Sequence, residues 1–262
     1  MTQPILEGKV AFIAGGSSGI NLGVAHGFAA AGARLALISR SPERIEAAAA
    51  ELRAAGYEAI GIAADVRDFD AVDAALQQTH EAYGLIDIVL SGAAGNFVAP
   101  AKELSAKGFK TVVDIDLLGT FNVFRASYPY LRKPGASLIA ITAAQAVQPI
   151  RNQIHACAAK AGVNMVTKCM AMEWGPEGIR VNGIAPGPIA DTEGMRRLTP
   201  TAEIAEAYRR TIPLGMYGEK RDIADLAVYL SSDKGRYITG AIIDCDGGSI
   251  LTGGAASSFV DQ

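Results

Sequence analysis

Four short stretches, each at the end of an apolar run, hold residues suited to chemistry on a phosphate-bearing ligand. The first is Gly15-Gly16-Ser17-Ser18-Gly19, after the run Val10 to Ala14 and before a helical pattern that starts at Ile20. Glycines in such a turn leave backbone N–H groups facing outward, and the following helix adds partial positive charge at its N-terminus. Together they hold a pyrophosphate without a cation. Gly15, Ser17, Ser18, Gly19 and Ile20 are therefore candidate cofactor contacts. The spacing Gly15-x-x-x-Gly19-x-Asn21 differs from G-x-G-x-x-G, and a glycine turn before a helix is also an ordinary structural device.

The second stretch is Ser39-Arg40. An acidic residue at this place binds a ribose 2′-hydroxyl, whereas an arginine accommodates a 2′-phosphate, so Arg40 favours NADP over NAD. The alternative is a solvated surface arginine. The third, Asp65-Val66, is placed to contact an adenine edge. In the fourth, Ala93-Ala94-Gly95, small side chains let the backbone approach the ribose side.

Positioning these turns requires strands and helices in alternation. Buried strands are expected at Val10–Ala14, Arg34–Ser39, Ala59–Ala63, Ile86–Leu90, Ser137–Thr142, Arg180–Ile184 and Ala241–Asp244. Between them run helical patterns. Ile20, Val24, Phe28 and Ala31 share one stripe. Ser41-Pro42-Glu43 supplies a cap, a proline at the first helical position and an acidic first turn. Asp68 caps a helix to about Tyr83. Residues 106–131 read as a long helix with a break near Val113, Ile154–Trp174 as another, Thr192–Arg210 as one interrupted at Pro200, and Arg221–Ser231 as the last. This alternation defines a single α/β domain spanning 1–262, a Rossmann-like doubly wound parallel sheet with helices on both faces. Ligands of such sheets sit outside the carboxyl ends of the strands, where all four stretches fall.

Composition narrows the function. The 262 residues are 50% hydrophobic and 19% charged, with a net charge of −3 and no basic cluster, which argues against a nucleic-acid partner. Cys157, Cys169 and Cys245 are scattered, with no C-x-x-C, so neither disulfides nor a zinc site is expected. Residues 1–9 lack an apolar signal core, and no uninterrupted apolar run reaches membrane-spanning length. Phe259-Val260-Asp261-Gln262 carries no legible address signal. A soluble, cytoplasmic protein without a membrane partner is expected.

Taken together, these residues resemble the short-chain dehydrogenases/reductases over essentially the whole chain, from Gly8-Lys9-Val10 to Asp246-Gly247-Gly248. The matching features are the glycine turn, Asp65, Ala93-Ala94-Gly95, Lys160, the Asn182…Pro186-Gly187 segment and the terminal Asp-Gly-Gly. The resemblance implies a cofactor half over about 8–150 and a substrate lid over about 190–215. It adds Lys160, Pro186, Gly187, Ile189 and Thr192 to the cofactor contacts. The departures are informative. The family's Tyr-x-x-x-Lys keeps only Lys160, with Ala156 four residues earlier. Its serine falls at about Ala143, and its helix asparagine at Asp116.

A finer resemblance accommodates these departures. Gly92 to Phe97, Asp114-Ile115-Asp116, His155-Ala156…Lys160, Glu173-Trp174-Gly175-Pro176 and Pro186-Gly187-Pro188-Ile189 are similar to 2,4-dienoyl-CoA reductases, the peroxisomal type most, which also lacks that tyrosine. The likeness implies an NADPH-dependent reduction of a 2,4-dienoyl-CoA thioester in unsaturated fatty-acid β-oxidation. Hydride delivery to C5 pushes charge onto the thioester oxygen, so the site needs donors for that oxygen and a proton for the alpha carbon. Asn96 is carried over as the oxyanion donor, against a loop-capping role. Lys160 would hold the nicotinamide ribose. Asp116 either relays a proton through water or simply pairs with Lys160.

Other implied substrate contacts are Phe97, Gln145, His155, Arg196 and Arg197, the arginines facing CoA phosphates or, equally, solvent. His155 lies five residues before Lys160, about 140° around the helix, so packing or capping competes with a substrate role. Cys157 reads as a small packing residue rather than a reactive thiol. Asn21, where the family has glycine, bears on how closely a pyrophosphate approaches. The apolar helices at 106–131 and 154–174 imply a homotetramer, since in the family such helices pair between subunits. Two rivals stay open: an oxidoreductase for another conjugated or carbonyl substrate, and a non-catalytic NADP(H)-binding regulatory protein.

Overall fold

Seven short strands, each followed by a turn or helix that carries the chain back across the sheet, build the molecule. The computed structural model describes residues 4–252. The strands are β1 (Val10–Ala14), β2 (Arg34–Ser39), β3 (Ala59–Ala63), β4 (Ile88–Ser91), β5 (Ser137–Ile141), β6 (Arg180–Pro186) and β7 (Ile242–Cys245). All pairings are parallel, in the order β3-β2-β1-β4-β5-β6-β7. The chain runs outward from β1 to β3, then crosses back to lay β4 on the other side of β1. That reversal opens a crevice between the carboxyl ends of β1 and β4, where ligands of such sheets bind.

One face is covered by α1 (Gly19–Ala30), α2 (Pro42–Ala54) and α9 (Lys220–Ser231). Val24, Phe28, Ile45, Leu52, Ile223 and Leu230 are buried there against Ile13, Leu35 and Ile139. The other face is covered by α3 (Phe69–Tyr83), α4 (Ala106–Val113), α5 (Gly119–Ser127) and α6 (Ile154–Trp174). Val72, Leu76, Phe124 and Val163 pack there on Phe12, Val89 and Leu138. Two short helices, α7 (Glu193–Leu198) and α8 (Ala202–Thr211), form the segment between β6 and α9.

Differences from the sequence reading have local causes. The expected stripe of α1 packs on the core, Val24 and Phe28 fully buried and Ile20 and Ala31 partly so, and Asn21, Ala25 and Ala29 widen it because Asn21 turns inward. Strand four begins at Ile88, since Ile86 makes only an isolated bridge to Leu131. The expected break near Val113 is a π-helical turn, Asp114–Leu118, joining α4 to α5. Such a turn inserts a residue and re-aims the side chains on either side. Here it carries Asp116 into the interior. No helix of the described residues is long and apolar enough to cross a membrane. The tail 259–262, read above for an address signal, lies outside the described residues.

Candidate active site

A cleft of about 900 Å³ opens at the carboxyl ends of the strands. Its wall begins at the turn after β1. Gly15 has φ +81, and a Cβ there would stand 2.8 Å from the backbone of Ala93, so only glycine fits the approach of the turn to the end of β4. Asn21 explains why the family's glycine is dispensable here. Its amide donates to Gly15 O at 3.2 Å and Gly92 O at 2.8 Å, which ties the β1 and β4 ends together across the crevice. The side chain is thus held against the sheet. Ser18 at the start of α1 makes no side-chain cap, so the first N–H groups of that helix are not claimed by it.

The predicted cofactor contacts Gly15, Ser17, Ser18, Gly19, Ile20, Ser39, Arg40, Asp65, Val66, Ala93 and Ala94 all line this cleft. So do Lys160, Pro186, Gly187, Ile189 and Thr192. Arg44, on the first turn of α2, lines it beside Arg40 and was not singled out from sequence. Asp65 is engaged by Arg67, whose hydrogen bonds hold its carboxyl below the usual aspartate range. Gly187 is a second required glycine: a Cβ there would stand 2.4 Å from Asp246 Cα. Asp246 in turn accepts from the N–H groups of Gly248 and Ile250, which folds the Asp-Gly-Gly segment onto the site.

Lys160 lines the cleft, and behind it, outside the lining, the buried Asp116 completes an ion pair. Lys160 Nζ lies 3.2 Å from Asp116 Oδ2 and donates to Ile141 O at 3.0 Å. Asp116 is 2% exposed, and its other oxygen accepts from the Gly95 N–H at 2.7 Å. The Gly95 N–H therefore serves the carboxylate, and Gly95, unlike Ala93 and Ala94, is not among the residues lining the cleft. Lys160 and Asp116 come from α6 and the π-helical turn, elements that sequence spacing alone does not bring together.

At the rim, three amides converge. Gln153 Oε1 accepts from Asn96 Nδ2 at 2.8 Å and Gln145 Nε2 at 3.1 Å. Gln145 and Gln153 line the cleft, whereas Asn96 and Phe97 stand exposed beside it. Gln153 escaped the sequence reading; its position on the helix face of Lys160, seven residues earlier, was the available signal. Thr142, also missed, lines the cleft next to Ala143 and donates to Asn164 at 2.6 Å.

Three predicted substrate contacts are placed elsewhere. His155 is fully buried with its ring 4.4 Å from that of Phe97, because α6 turns this position inward. Arg196 and Arg197 do not line the cleft; both fold back onto Glu193 three and four residues away. Thr192 lines the cleft, but its hydroxyl donates to Ile189 O and caps α7. Cys157 packs half-buried, its sulfur 3.5 Å from the Ile150 nitrogen. Among the described residues no cluster of His, Cys, Asp and Glu could hold a metal ion.

A parallel sheet with this strand order and a glycine turn at its crossover define a Rossmann-like protein with a ligand cleft at the switch point. The chain belongs to the short-chain dehydrogenase/reductase family. The family model described as enoyl-(acyl carrier protein) reductase matches residues 14–249. A peroxisomal 2,4-dienoyl-CoA reductase of Rattus norvegicus, (3E)-enoyl-CoA-producing by name, is 44% identical over 250 residues, covering 95% of this chain and 86% of that one. A namesake from Arabidopsis thaliana is 42% identical over 258 residues with the same coverage. A dehydrogenase/reductase structure from Sinorhizobium meliloti superposes with a TM-score of 0.87 at 35% identity, over 94% of this chain and 97% of that one.

The residues present fit a dinucleotide. Gly19 has φ +63 with nothing within 4 Å of where a Cβ would stand, leaving the mouth of the turn open. The uncapped start of α1 faces the same cleft.

Proposed function

We propose that the protein uses NADPH to reduce a 2,4-dienoyl-CoA thioester to a 3-enoyl-CoA, the step that removes conjugation during unsaturated fatty-acid β-oxidation. The carrying observation is a site with alanines at 143 and 156, where an alcohol-forming enzyme needs hydroxyls, that keeps a buried Lys160–Asp116 pair and amides at its rim. A carbonyl reduction must protonate an alkoxide. Conjugate reduction needs only donors for a thioester oxygen and a proton for carbon, which suits neutral amides. The names of the relatives support the same reading.

The cofactor, when bound, supplies the hydride. The turn after β1 and the start of α1 would hold its pyrophosphate, and Arg40 and Arg44 favour a 2′-phosphate over a bare ribose. Lys160 would hold the nicotinamide ribose. Hydride arriving at C5 would send the C4–C5 π electrons to C3–C4, those of C2–C3 to C1–C2, and those of the C1 carbonyl onto the thioester oxygen as a dienolate. Asn96 donates to that oxygen. A proton at the alpha carbon completes the product, and Asp116, beside Lys160, handles it through water. NADPH oxidation assayed against dienoyl-, enoyl- and ketoacyl-CoA thioesters tests the assignment. Turnover of the dienoyl compounds is expected; turnover of ketoacyl-CoA alone would overturn it.

We also infer a homotetramer. Phe109, Leu118, Phe121, Ile154, Met165 and Met172, on α4, the π-helical turn, α5 and α6, are exposed apolar side chains on the helices that the family pairs. Light scattering at micromolar concentration checks this; a monomeric mass would refute it.

A further inference from the structure

Gln153 is the last residue before α6, where Ser, Thr, Asp or Asn would fold back onto the first N–H groups of the helix. It makes no such cap. Instead its carboxamide oxygen, on a side chain in a residue only 6% exposed, takes hydrogen bonds from two different loops. A carbonyl oxygen has two lone pairs, and both are used. Asn96 belongs to the segment after β4, Gln145 to the segment after β5. Each is a primary amide with two N–H bonds, so each keeps one uncommitted.

The surrounding contacts hold this arrangement in register. The Ala99 N–H donates to Asn152 O at 2.9 Å, and Asn152 is held at φ +63 to present it. Two residues before Ala99, the Phe97 ring packs tilted against that of the fully buried His155. The segments 96–99 and 152–155 are therefore fastened at three points, with the Asn96–Gln153 bond among them. Gln153 also lies seven residues before Lys160, on nearly the same face of α6, one turn ahead of Ala156.

We propose that Gln153 is the positioning residue of the thioester-oxygen site, fixing the amides of Asn96 and Gln145 so that their free N–H bonds serve one oxygen at the cleft mouth. The proposal rests on the conjugate-reductase reading above. Without Gln153 the two amides can rotate or exchange their oxygen and nitrogen, and the donors are no longer preorganised. A displacement of this kind typically costs about 10²-fold in rate.

The test uses the full-length protein with NADP(H). Gln153→Leu is expected to lower kcat on 2,4-hexadienoyl-CoA about 10²-fold with NADPH affinity unchanged. In an Asn96→Ala/Gln145→Ala background the same substitution should cost less than about twofold, since nothing remains to position. Gln153→Glu, which keeps an accepting oxygen, should retain the fold and recover part of the loss. Gln153→Met, which removes the accepting oxygen at similar length, stands in for Gln153→Leu should that variant melt.

A second readout does not need turnover. With NADP⁺ bound, calorimetry compares hexanoyl-CoA with S-hexyl-CoA, its thioether lacking the carbonyl. The parent should prefer the thioester about fivefold or more, and Gln153→Leu should lose that preference. If the parent reduces no dienoyl thioester yet shows this preference and its loss, the positioning role stands and the assigned reaction falls. An equal kcat and an undiminished preference in Gln153→Leu, or no preference in the parent, would overturn the proposal.

Discussion

Carboxylate–cation pairs occur in two regions around the cleft, beneath it as a floor and on α7 and α8, the segment expected to be a lid, and burial makes them different objects. On the floor, Asp116 and Lys160 have side chains 2% and 9% exposed, and Gly95 and Ile141 complete their hydrogen bonds. On the lid, Glu193 meets Arg196 and Arg197, and Glu206 meets Arg209 and Arg210, with side chains between 40% and 74% exposed. Water screens the lid pairs, so they order two short helices and little more. The floor pair has no water to fall back on. Removing one partner strands the other, so this pair fixes geometry at the price of fragility. The same residue types thus make a buried, fully partnered centre in one place and solvent-screened surface pairs in the other.

The largest effect is expected from breaking the floor. Lys160→Met leaves the Asp116 carboxylate with only the Gly95 N–H, a loss of about 3–5 kcal/mol for a buried pair. Calorimetric melting should show it, and NADPH affinity and turnover should fall together. Asp116→Asn removes the charge while preserving size. Turnover should drop with NADPH affinity intact; an unchanged rate would reduce Asp116 to a partner for Lys160.

Next comes the rim between floor and lid. Asn96→Ala should lower turnover about 10²–10³-fold, roughly 2.7–4 kcal/mol, for one lost oxyanion donor. NADPH binding should be unaffected, and a parent-like rate would remove Asn96 from the site. Arg40→Asp, at the adenine end, should erase an NADPH-over-NADH preference of about 10–100-fold, read by titration calorimetry. Equal affinities in the parent would remove the basis for choosing NADP.

The lid should respond least. Hydrogen bonds from Arg209 and then Arg210 hold the Glu206 carboxyl down from 4.5 to about 2. Its folded value is depressed, so its contribution is whole above about pH 4.5 and fades as pH falls toward about 2. Glu206→Gln should leave the melting temperature nearly unchanged at neutral pH, and any small deficit should vanish at the acid end of that window. A large neutral-pH deficit would mean that the lid is built like the floor.

Much was legible because local signals carried it. Strand, glycine turn and helix around Gly15–Gly19 follow from residue type, and so do the Ser41 and Asp68 caps and the interruption at Pro200. That these residues line one cleft followed too, because in a parallel sheet the residues after each strand share one edge. Arg196 and Arg197 were open between cleft and solvent because a sequence does not say whether an arginine turns to a cleft or to a glutamate one helical turn away. His155 was ambiguous for a similar reason: helical spacing gives its angle but not what packs opposite.

Alternation, turn chemistry and the missing hydroxyls at Ala143 and Ala156 belong to the sequence by itself, since each is a matter of residue type at a local position. Only the tertiary structure decided that Asn21 bridges Gly15 and Gly92, that a π-helical turn sends Asp116 to Lys160, and that Gln153 gathers Asn96 and Gln145. Those contacts join residues as far as 71 positions apart. Their partners are set by strand order and helix packing, which bring distant loops to one edge of the sheet, where burial leaves each polar group few partners within reach.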